Sequence, residues 1–497
     1  MAARPQPPER IDKGLKADAI GYASNLVIGI ASTAPAYSLA ATLGFIVAVG
    51  GIGVHAPAVL LVSFVPILLI AFAYKALNRA DPDAGTTFAW GTRAMGPYVG
   101  WLNGWAIFVA DVIVMASLAV IASTYTYLLV GWKSGASSTA AILIGSAVWI
   151  AIMTWICWRG IELSARVQQF LLTAEIIILT AFAIVAIVKV YSNHPAHSLH
   201  LSADWFNPFS IGITPLLDGV LLGIFIYWGW DSGVAVNEET KDSHRAPGRA
   251  AVMSTIVLVL IYLVVSAAAI AYGGPGLLTN PNNIGDVLSV LGTKVFGSPW
   301  DKLLIIAVLT SASASTQTTI LPTARTTLSM ARWGAIPKVL GRIHPRFQTP
   351  DVSTIGMGVI SIVFTVLLVG FNSSQDVLGD SITALGFSVC FYYGFTGLIS
   401  AIYFRRELKR SVRHLIMAGL LPLLGAAMMA LIFVKAFIDY SKTDAGYAHP
   451  LFGIQVPIVI GIGSLLLGVP IMVICAAKYR AFFSRKLEVA PPGILDD

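Results

Sequence analysis

Long apolar stretches separated by short polar segments repeat along the whole chain. At roughly 20 residues or more, each stretch is long enough to cross a bilayer core about 30 Å thick as a helix. The pattern predicts twelve membrane-spanning helices, which we number in chain order as spans one to twelve. They are expected at residues 20–48, 54–77, 98–130, 139–158, 166–190, 212–236, 250–272, 302–329, 353–371, 379–404, 412–438 and 453–477.

Composition supports an all-α integral membrane protein. Of the 497 residues, 56% are hydrophobic and only 11% are charged, and the mean hydropathy is +0.78, outside the range of soluble globular domains. The polar first 17 residues run directly into span one without a short apolar core and cleavage site, so a retained tail is expected. Cys157, Cys390 and Cys475 fall inside predicted spans and show no metal-ligand spacing, so we expect buried thiols, no metal and no cofactor.

Lysine and arginine positions predict the orientation. With both termini placed in the cytoplasm, 26 of the 32 basic residues fall in the tails, inner connections and inner span ends, and six lysines fall outside. This asymmetry is the positive-inside pattern. The net charge of +7 therefore indicates topology and attraction to anionic lipid, and no nucleic-acid partner is expected. The predicted location is the cytoplasmic membrane.

Spans one and six contain residues that a continuous helix tolerates poorly. Span one carries Gly29 and Pro35 within "GIASTAPAYS", and span six carries Gly229 and Asp231 within "FIYWGWDSGVAVNEET". Proline removes a helix hydrogen bond, and glycine costs about 1 kcal/mol relative to alanine in a helix. Backbone groups freed in lipid must face protein or a water-filled cavity. Two such breaks, five spans apart, predict an inverted-repeat transporter with its site between the broken helices; the alternative is two simple kinks.

Further stretches carry a resemblance to a known family. The connection between spans two and three reads "DPDAGTTFAWGTRAMGPYVGWLNGW", and the segment after span eight reads "MARWGAIPKVLGRIHPRFQTP". With the two breaks, these stretches resemble the amino acid, polyamine and organocation (APC) superfamily, of the bacterial amino acid permease type. The chain departs from the family pattern at Thr86 and Phe88, where a second glycine and a tyrosine are usual. Its first break also lacks a second close glycine.

The resemblance implies an all-α fold of about twelve membrane helices. In it, spans one to five and six to ten form two inverted repeats with discontinuous helices one and six. Residues 1–17 would then be a cytoplasmic tail, 18–404 the transport core, 405–477 the added spans eleven and twelve, and 478–497 a second cytoplasmic tail. It also implies alternating access around a central site, where the substrate carboxylate meets backbone amides of the opened first helix.

The start of a half-helix offers unpaired N–H groups and a partial positive charge to an anion. We expect those amides at Ser32, Thr33 and Ala34, with acceptors for a substrate amine at the freed carbonyls near Gly29 and Ile30 and in span six. The candidate substrate-binding set is therefore Ile30, Ser32, Thr33, Ala34, Phe225, Trp228, Gly229, Trp230 and Asp111. Phe225 stands where the family places an aromatic gate. The tryptophans could instead pack against lipid, and Gly29, Pro35 and Asp231 are expected to shape the breaks.

Three carboxylates fall inside predicted spans: Asp111, Glu175 and Asp231. Such groups are costly unless they face a cavity or a partner. By resemblance, Glu175 lies where related transporters carry a lysine or bind sodium with span-eight hydroxyls, which here would be Ser313, Ser315 and Thr316. Glu175 is therefore a candidate proton-coupling residue, with a structural hydrogen bond as the alternative. A structural role is likewise an alternative for Asp111 and Asp231.

The predicted function is secondary active transport of an amino acid, neutral or cationic and coupled to protons. No lysine or arginine falls at the expected midplane of spans one, three, six or eight, so a second anionic group on the substrate would lack a partner. A polyamine or organic amine transporter or exchanger is an alternative, and a transporter-like nutrient sensor is an alternative of another class. No zinc, nucleophile-elbow or phosphate-loop motif indicates an enzyme, and the oligomeric state is left open.

Overall fold

The computed structural model describes residues 11–371, 374–442, 450–451, 453–488 and 495. Within these ranges, twelve helices are long and apolar enough to cross a membrane. Each overlaps one of the predicted stretches, so the predicted number and order of spans are confirmed. The spans are Tyr22–Ala48, Gly53–Ala80, Pro97–Leu129, Thr139–Arg159, Ile161–Asn193, Ile213–Ala235, Ala246–Leu278, Lys302–Arg332, Asp351–Gly370, Gly379–Tyr403, Val412–Tyr440 and Val456–Lys478.

Both predicted helix breaks are present. Span one consists of the half-helices Tyr22–Ser32 and Pro35–Ala48. Proline opens the second half, where its missing N–H costs nothing because the first amides of a helix have no partner within it. Span six consists of Ile213–Tyr227 and the short helix Ser232–Ala235. Spans one and six are therefore discontinuous helices and not merely kinked ones.

The broken spans lie inside the bundle. Spans one and three bury most of their apolar stretch against other helices, whereas spans four, five and twelve leave most of theirs on the surface. An apolar surface of this kind suits contact with lipid, since a bilayer helix needs no polar outer face. Polar groups freed at the breaks consequently face protein. We call the end of the bundle that carries the connection between spans two and three the inner end, following the charge pattern.

Short helices close the two ends. At the inner end, Thr87–Met95 joins spans two and three, and Arg480–Phe483 follows span twelve. At the outer end, Val287–Phe296 joins spans seven and eight, with one face buried. The backbone just before this outer helix packs against the second half of span one. A Cβ on Gly44 would lie 2.4 Å from the carbonyl oxygen of Ile284, so only glycine permits this approach.

Candidate functional site

The two helix breaks are in direct contact. The hydroxyl oxygens of Ser32 and Ser232 lie 2.8 Å apart, which links the two spans by a hydrogen bond. Gly229 has φ of +114°, and a Cβ there would lie 2.8 Å from the carbonyl oxygen of Ser32. Both observations require glycine, because an L side chain would be strained and would collide with span one. The predicted juxtaposition of the two breaks is therefore confirmed.

The break in span one falls between Thr33 and Pro35, and its geometry corrects one expectation. Ala34 adopts a left-handed conformation, φ 47° and ψ 67°. The amides of Thr33 and Ala34 donate to the carbonyls of Ile30 and Ala31, both at 3.2 Å. The expectation that these amides stand free was wrong, because Ser32 ends the first half-helix and the next two residues close its last turn.

The amides at the start of the second half-helix are those of Ala36 and Tyr37, and protein side chains hold both. Ala36 N–H donates to Oε1 of Glu175 at 2.7 Å, and Tyr37 N–H donates to Oγ of Ser311 at 3.2 Å. A carboxylate thus occupies the anion site that a half-helix N-terminus creates. It comes from span five of the same chain.

Glu175 is fully buried, and its two carboxyl oxygens differ. Oε1 accepts from Ala36 N–H and from the Ser311 hydroxyl at 2.8 Å, whereas buried Oε2 has no hydrogen-bond partner among the residues that the structure describes. Within the described ranges, no basic side chain forms an ion pair with Glu175. A lone carboxylate in this position is costly while ionised, and its free oxygen is the natural site for a proton.

Hydroxyls of span eight connect to the break, but not all of the predicted ones do. Ser315 Oγ donates to the carbonyl of Ser32 at 2.8 Å. Thr316 Oγ1 instead donates to the Ala312 carbonyl in its own helix at 2.7 Å, and Ser313 Oγ is buried without a partner in the described part of the chain. Ser311, which sequence reasoning did not single out, makes the contact to Glu175. The hydroxyl-rich stretch indicated the right segment but not the right face.

Asp231, at the break in span six, accepts hydrogen bonds from three tyrosine hydroxyls. Its carboxylate accepts from Tyr393 at 2.8 Å, Tyr392 at 3.2 Å and Tyr74 at 3.4 Å. These hydroxyls come from spans ten and two. Asp231 makes no side-chain cap on the short helix that follows it, so it holds neighbouring helices and not the helix start. The adjacent tyrosines in "CFYYGF" were the sequence signal for this cluster, and it was missed.

Aromatic side chains surround the break in span six. Trp228 donates its indole N–H to the Tyr392 hydroxyl at 2.5 Å. Trp230 is fully buried, with its ring 5.0 Å from that of Tyr74. Phe225 packs edge-on against Tyr37 of span one, with ring centroids 6.4 Å apart. These contacts place both tryptophans inside the protein, so lipid-facing packing is ruled out for them.

Asp111 lies in span three and accepts a hydrogen bond from the Thr323 hydroxyl of span eight. It is 1% exposed. Its carboxylate lies near enough to Asp231 for the two to interact electrostatically. The structure therefore brings Asp111 towards the same interior as the second break, and it shows the helix-to-helix hydrogen bond that was the alternative to a substrate contact.

A charged network closes the inner end beneath the breaks. Arg325 donates to both carboxylate oxygens of Glu239, at 2.8 and 3.0 Å, with both side chains fully buried. Beside this pair, Lys13 bridges Asp83 at 3.0 Å and Glu238. Burial alone lowers the pKa of Lys13, but the two carboxylates more than offset it and raise that pKa above its ordinary value. The first tail, the connection after span two and the end of span six are thus held together.

The segment after span twelve also packs on this inner surface. Phe482 stacks on Phe88 with ring centroids 5.9 Å apart, and Glu488 forms an ion pair with Arg93. Arg93 is bound at the same time to Asp81 at 2.8 Å. Both terminal segments therefore contact the connection between spans two and three, the stretch that carried much of the family resemblance.

Comparison with known proteins agrees with the membrane-helix fold. Residues 20–474 match the amino acid permease family, so this chain belongs to that family and the resemblance is confirmed. It is 24% identical over 394 residues to an uncharacterized transporter of Mycobacterium tuberculosis, covering 78% of this chain and 80% of the relative. It is 22% identical over 387 residues to the low-affinity putrescine importer PlaP of Escherichia coli, covering 77% and 81%.

A human relative, Asc-type amino acid transporter 1, is 23% identical over 448 residues, covering 86% of this chain and 78% of that protein. The family and these relatives are transporters and not enzymes. Together with the twelve spans, they establish a multi-pass membrane protein of the permease type.

Proposed function

We propose that this protein is a proton-coupled secondary transporter that carries a neutral or cationic amino acid across the cytoplasmic membrane. Both termini would lie in the cytoplasm. The observation that carries the proposal is the buried carboxyl of Glu175, bound to the first amide of the second half-helix of span one. A proton-coupled transporter needs a group whose charge state changes how strongly a moving helix is bound, and Glu175 has that position.

The coupling step follows from the two oxygens of Glu175. With the carboxylate ionised, Oε1 holds Ala36 N–H and the Ser311 hydroxyl, and spans one, five and eight are tied together. Protonation at the unpartnered Oε2 removes the charge that strengthens both hydrogen bonds, since bonds to ionised acceptors are roughly twice as strong as neutral ones. Protonation therefore loosens the second half of span one relative to spans five and eight.

Substrate is proposed to bind where the two breaks meet, at Ile30, Ser32, Thr33 and Ala34 of span one and Phe225, Trp228, Gly229 and Trp230 of span six. In the described ranges, the amides of Gly229 and Trp230 donate no hydrogen bond to protein. They supply N–H groups for a substrate carboxylate beside Ser32, in place of the span-one amides that the protein itself uses. Gly29 and Pro35 shape the opening.

The surrounding charge supports a neutral or cationic substrate. Asp111 and Asp231 both face this interior, and the buried cation that lies closest along span eight, Arg325, is matched by Glu239. An anionic side chain would gain no partner here, whereas an amine would be attracted. An organic amine is the second candidate substrate, since one relative is named as a putrescine importer.

Proteoliposomes carrying a Glu175→Gln variant test the coupling. Uptake driven by an inward proton gradient should be lost, while exchange of labelled for unlabelled substrate without a gradient should persist, because glutamine keeps an acceptor for Ala36 N–H. Glu162→Gln is the matched control: it lies in the same span, is 46% exposed and pairs with Lys16. Gradient-driven uptake at the wild-type rate in Glu175→Gln would remove the proposed coupling role.

A further inference from the structure

Four basic side chains from three spans converge at the inner end, away from the broken helices. Lys75 and Arg79 lie one turn apart in span two, Arg249 lies in the first turn of span seven, and Arg413 lies in the first turn of span eleven. We call these four residues the basic cluster. Arg249, Arg413 and Arg79 each repel the charge of Lys75, so the four lie within electrostatic range.

Three members of the basic cluster are exposed, and no carboxylate in the described part of the chain neutralises their charge. Lys75, Arg249 and Arg413 are all solvent-exposed. In the part of the chain that the structure describes, none of these three forms a salt bridge with a carboxylate. Two other basic side chains at the inner end, Arg325 and Arg93, are paired with Glu239 and Asp81. The three exposed members of the basic cluster therefore carry an excess of positive charge that suits an external anion.

Backbone packing holds the cluster together. A Cβ on Gly248 would lie 2.9 Å from Cα of Lys75, so glycine brings Arg249 directly beside span two. The loop before span seven is also tied to span two, because Asn78 Nδ2 donates to the Ser243 carbonyl at 2.9 Å. The His244 ring nitrogen Nδ1 lies 2.9 Å from the carbonyl oxygen of Arg79. The like charges are thus held close by the fold.

Exposed apolar side chains continue from the cluster towards the middle of the membrane. On span seven, Met253 and Ile256 follow Arg249 by four and seven residues and are exposed. Residues at these spacings share one face of an α-helix. On span eleven, Ile416 and Leu420 are exposed too and lie about one turn apart in the π-helical segment Leu415–Leu420, just after Arg413. Positive charge at the membrane boundary beside exposed apolar helix faces suits binding of an anionic amphiphile better than binding of a soluble ion.

We propose that the basic cluster binds the phosphate headgroup of one anionic phospholipid of the inner leaflet. Its acyl chains lie along the exposed faces of spans seven and eleven. Basic pockets between membrane helices on the cytoplasmic side are suited to such headgroups. Lys75 directly follows Tyr74, which donates to Asp231 at the break in span six. The bound lipid therefore steadies the helix that holds the broken span.

Native mass spectrometry of the purified full-length protein tests the proposal, with phosphatidylglycerol and phosphatidylcholine as the probes. The test variant replaces Lys75, Arg249 and Arg413 with glutamine. The matched control replaces three other exposed inner basic residues, Arg332, Lys338 and Lys486, with glutamine and changes the net charge equally. At roughly 1 kcal/mol for each basic residue, binding should weaken about fivefold per charge, on the order of 100-fold for the test variant.

The expected result is one phosphatidylglycerol retained in preference to phosphatidylcholine by the wild-type protein and by the control variant, and lost from the test variant. Excess inorganic phosphate should not displace it, since the apolar faces contribute to lipid binding alone. No preference for phosphatidylglycerol in the wild-type protein would overturn the proposal. Equal losses in both variants, or full displacement by inorganic phosphate, would overturn it as well.

Discussion

Replacement of Glu239 by glutamine should destabilise the protein strongly, because it leaves a buried guanidinium without its counter-ion. Arg325 donates to both oxygens of Glu239, at 2.8 and 3.0 Å, and neither side chain reaches solvent. The remaining guanidinium nitrogen of Arg325, Nη1, already has no hydrogen-bond partner within the described ranges. Breaking a buried ion pair from one side costs about 3–5 kcal/mol. We expect a loss of that size for Glu239→Gln.

Removal of both charges, those of Arg325 and Glu239, should restore most of the lost stability. Buried ion pairs replaced by apolar groups of similar volume are often neutral in stability, because the desolvation cost of the two ions disappears with their attraction. The double variant Arg325→Met with Glu239→Leu should therefore be more stable than Glu239→Gln. Unfolding of each purified variant in detergent mixtures, followed by tryptophan fluorescence, gives the free energies.

An exposed ion pair provides the control. Lys16 and Glu162 lie 2.8 Å apart and are each 46% exposed. Glu162→Gln should cost no more than about 1 kcal/mol, since exposed pairs contribute little. This prediction fails if Glu239→Gln costs no more than Glu162→Gln, or if the double variant is no more stable than Glu239→Gln.

Three further predictions concern the backbone, the tyrosine cluster and the outer helix. Ala34→Gly should leave stability unchanged or raise it by up to about 1 kcal/mol in the same unfolding assay, because the backbone of Ala34 is left-handed. As the control, Ala40→Gly inside the second half-helix of span one should lower stability by about 1 kcal/mol. Tyr393→Phe should lower stability by about 1.5–3 kcal/mol in that assay, because it removes a 2.8 Å hydrogen bond to buried Asp231. Burial raises the pKa of Asp286 to about 7, so the folded state binds the carboxyl proton more tightly than the unfolded chain does. Stability should therefore fall as pH rises from about 4 to 7, by on the order of 4 kcal/mol at most. Unfolding measured against pH should show that Asp286→Asn removes this fall.

Local sequence chemistry accounts for the spans and the breaks. Apolar length alone places twelve helices, since a bilayer requires each crossing to satisfy its own backbone. Pro35 and Gly229 mark the breaks because a proline without N–H and a glycine at positive φ act on the backbone directly. These signals depend on few residues and no distant partner, so they are readable before the fold is known.

Side-chain partners were less predictable, because they depend on how each helix is rotated. Span eight carries hydroxyl side chains at most positions between Thr310 and Thr319. Each step of one residue turns the side-chain direction by 100° around the helix axis. Ser311, and not Ser313, consequently reaches Glu175. The position of a break likewise does not say which amides it frees: Thr33 and Ala34 close the preceding turn.

Contacts made by the terminal segments depend on the assembled fold. Lys13 lies 70 residues from Asp83 and still farther from Glu238, and nothing local indicates that pairing. The same holds for Arg93 and Glu488, which are 395 residues apart in the chain. Sequence reasoning described both ends as tails, whereas the described parts of both are packed on the inner surface.

Uptake by the purified protein in liposomes is the direct test of proton-coupled transport. A panel of labelled neutral and cationic amino acids and amines would be offered with and without an inward proton gradient, in the absence of sodium. We expect saturable uptake of one class of substrate, and we expect the proton gradient to stimulate it. Specific binding without flux, in liposomes where a known transporter works, would contradict transport and favour a sensor; uptake that requires sodium would contradict the proton coupling.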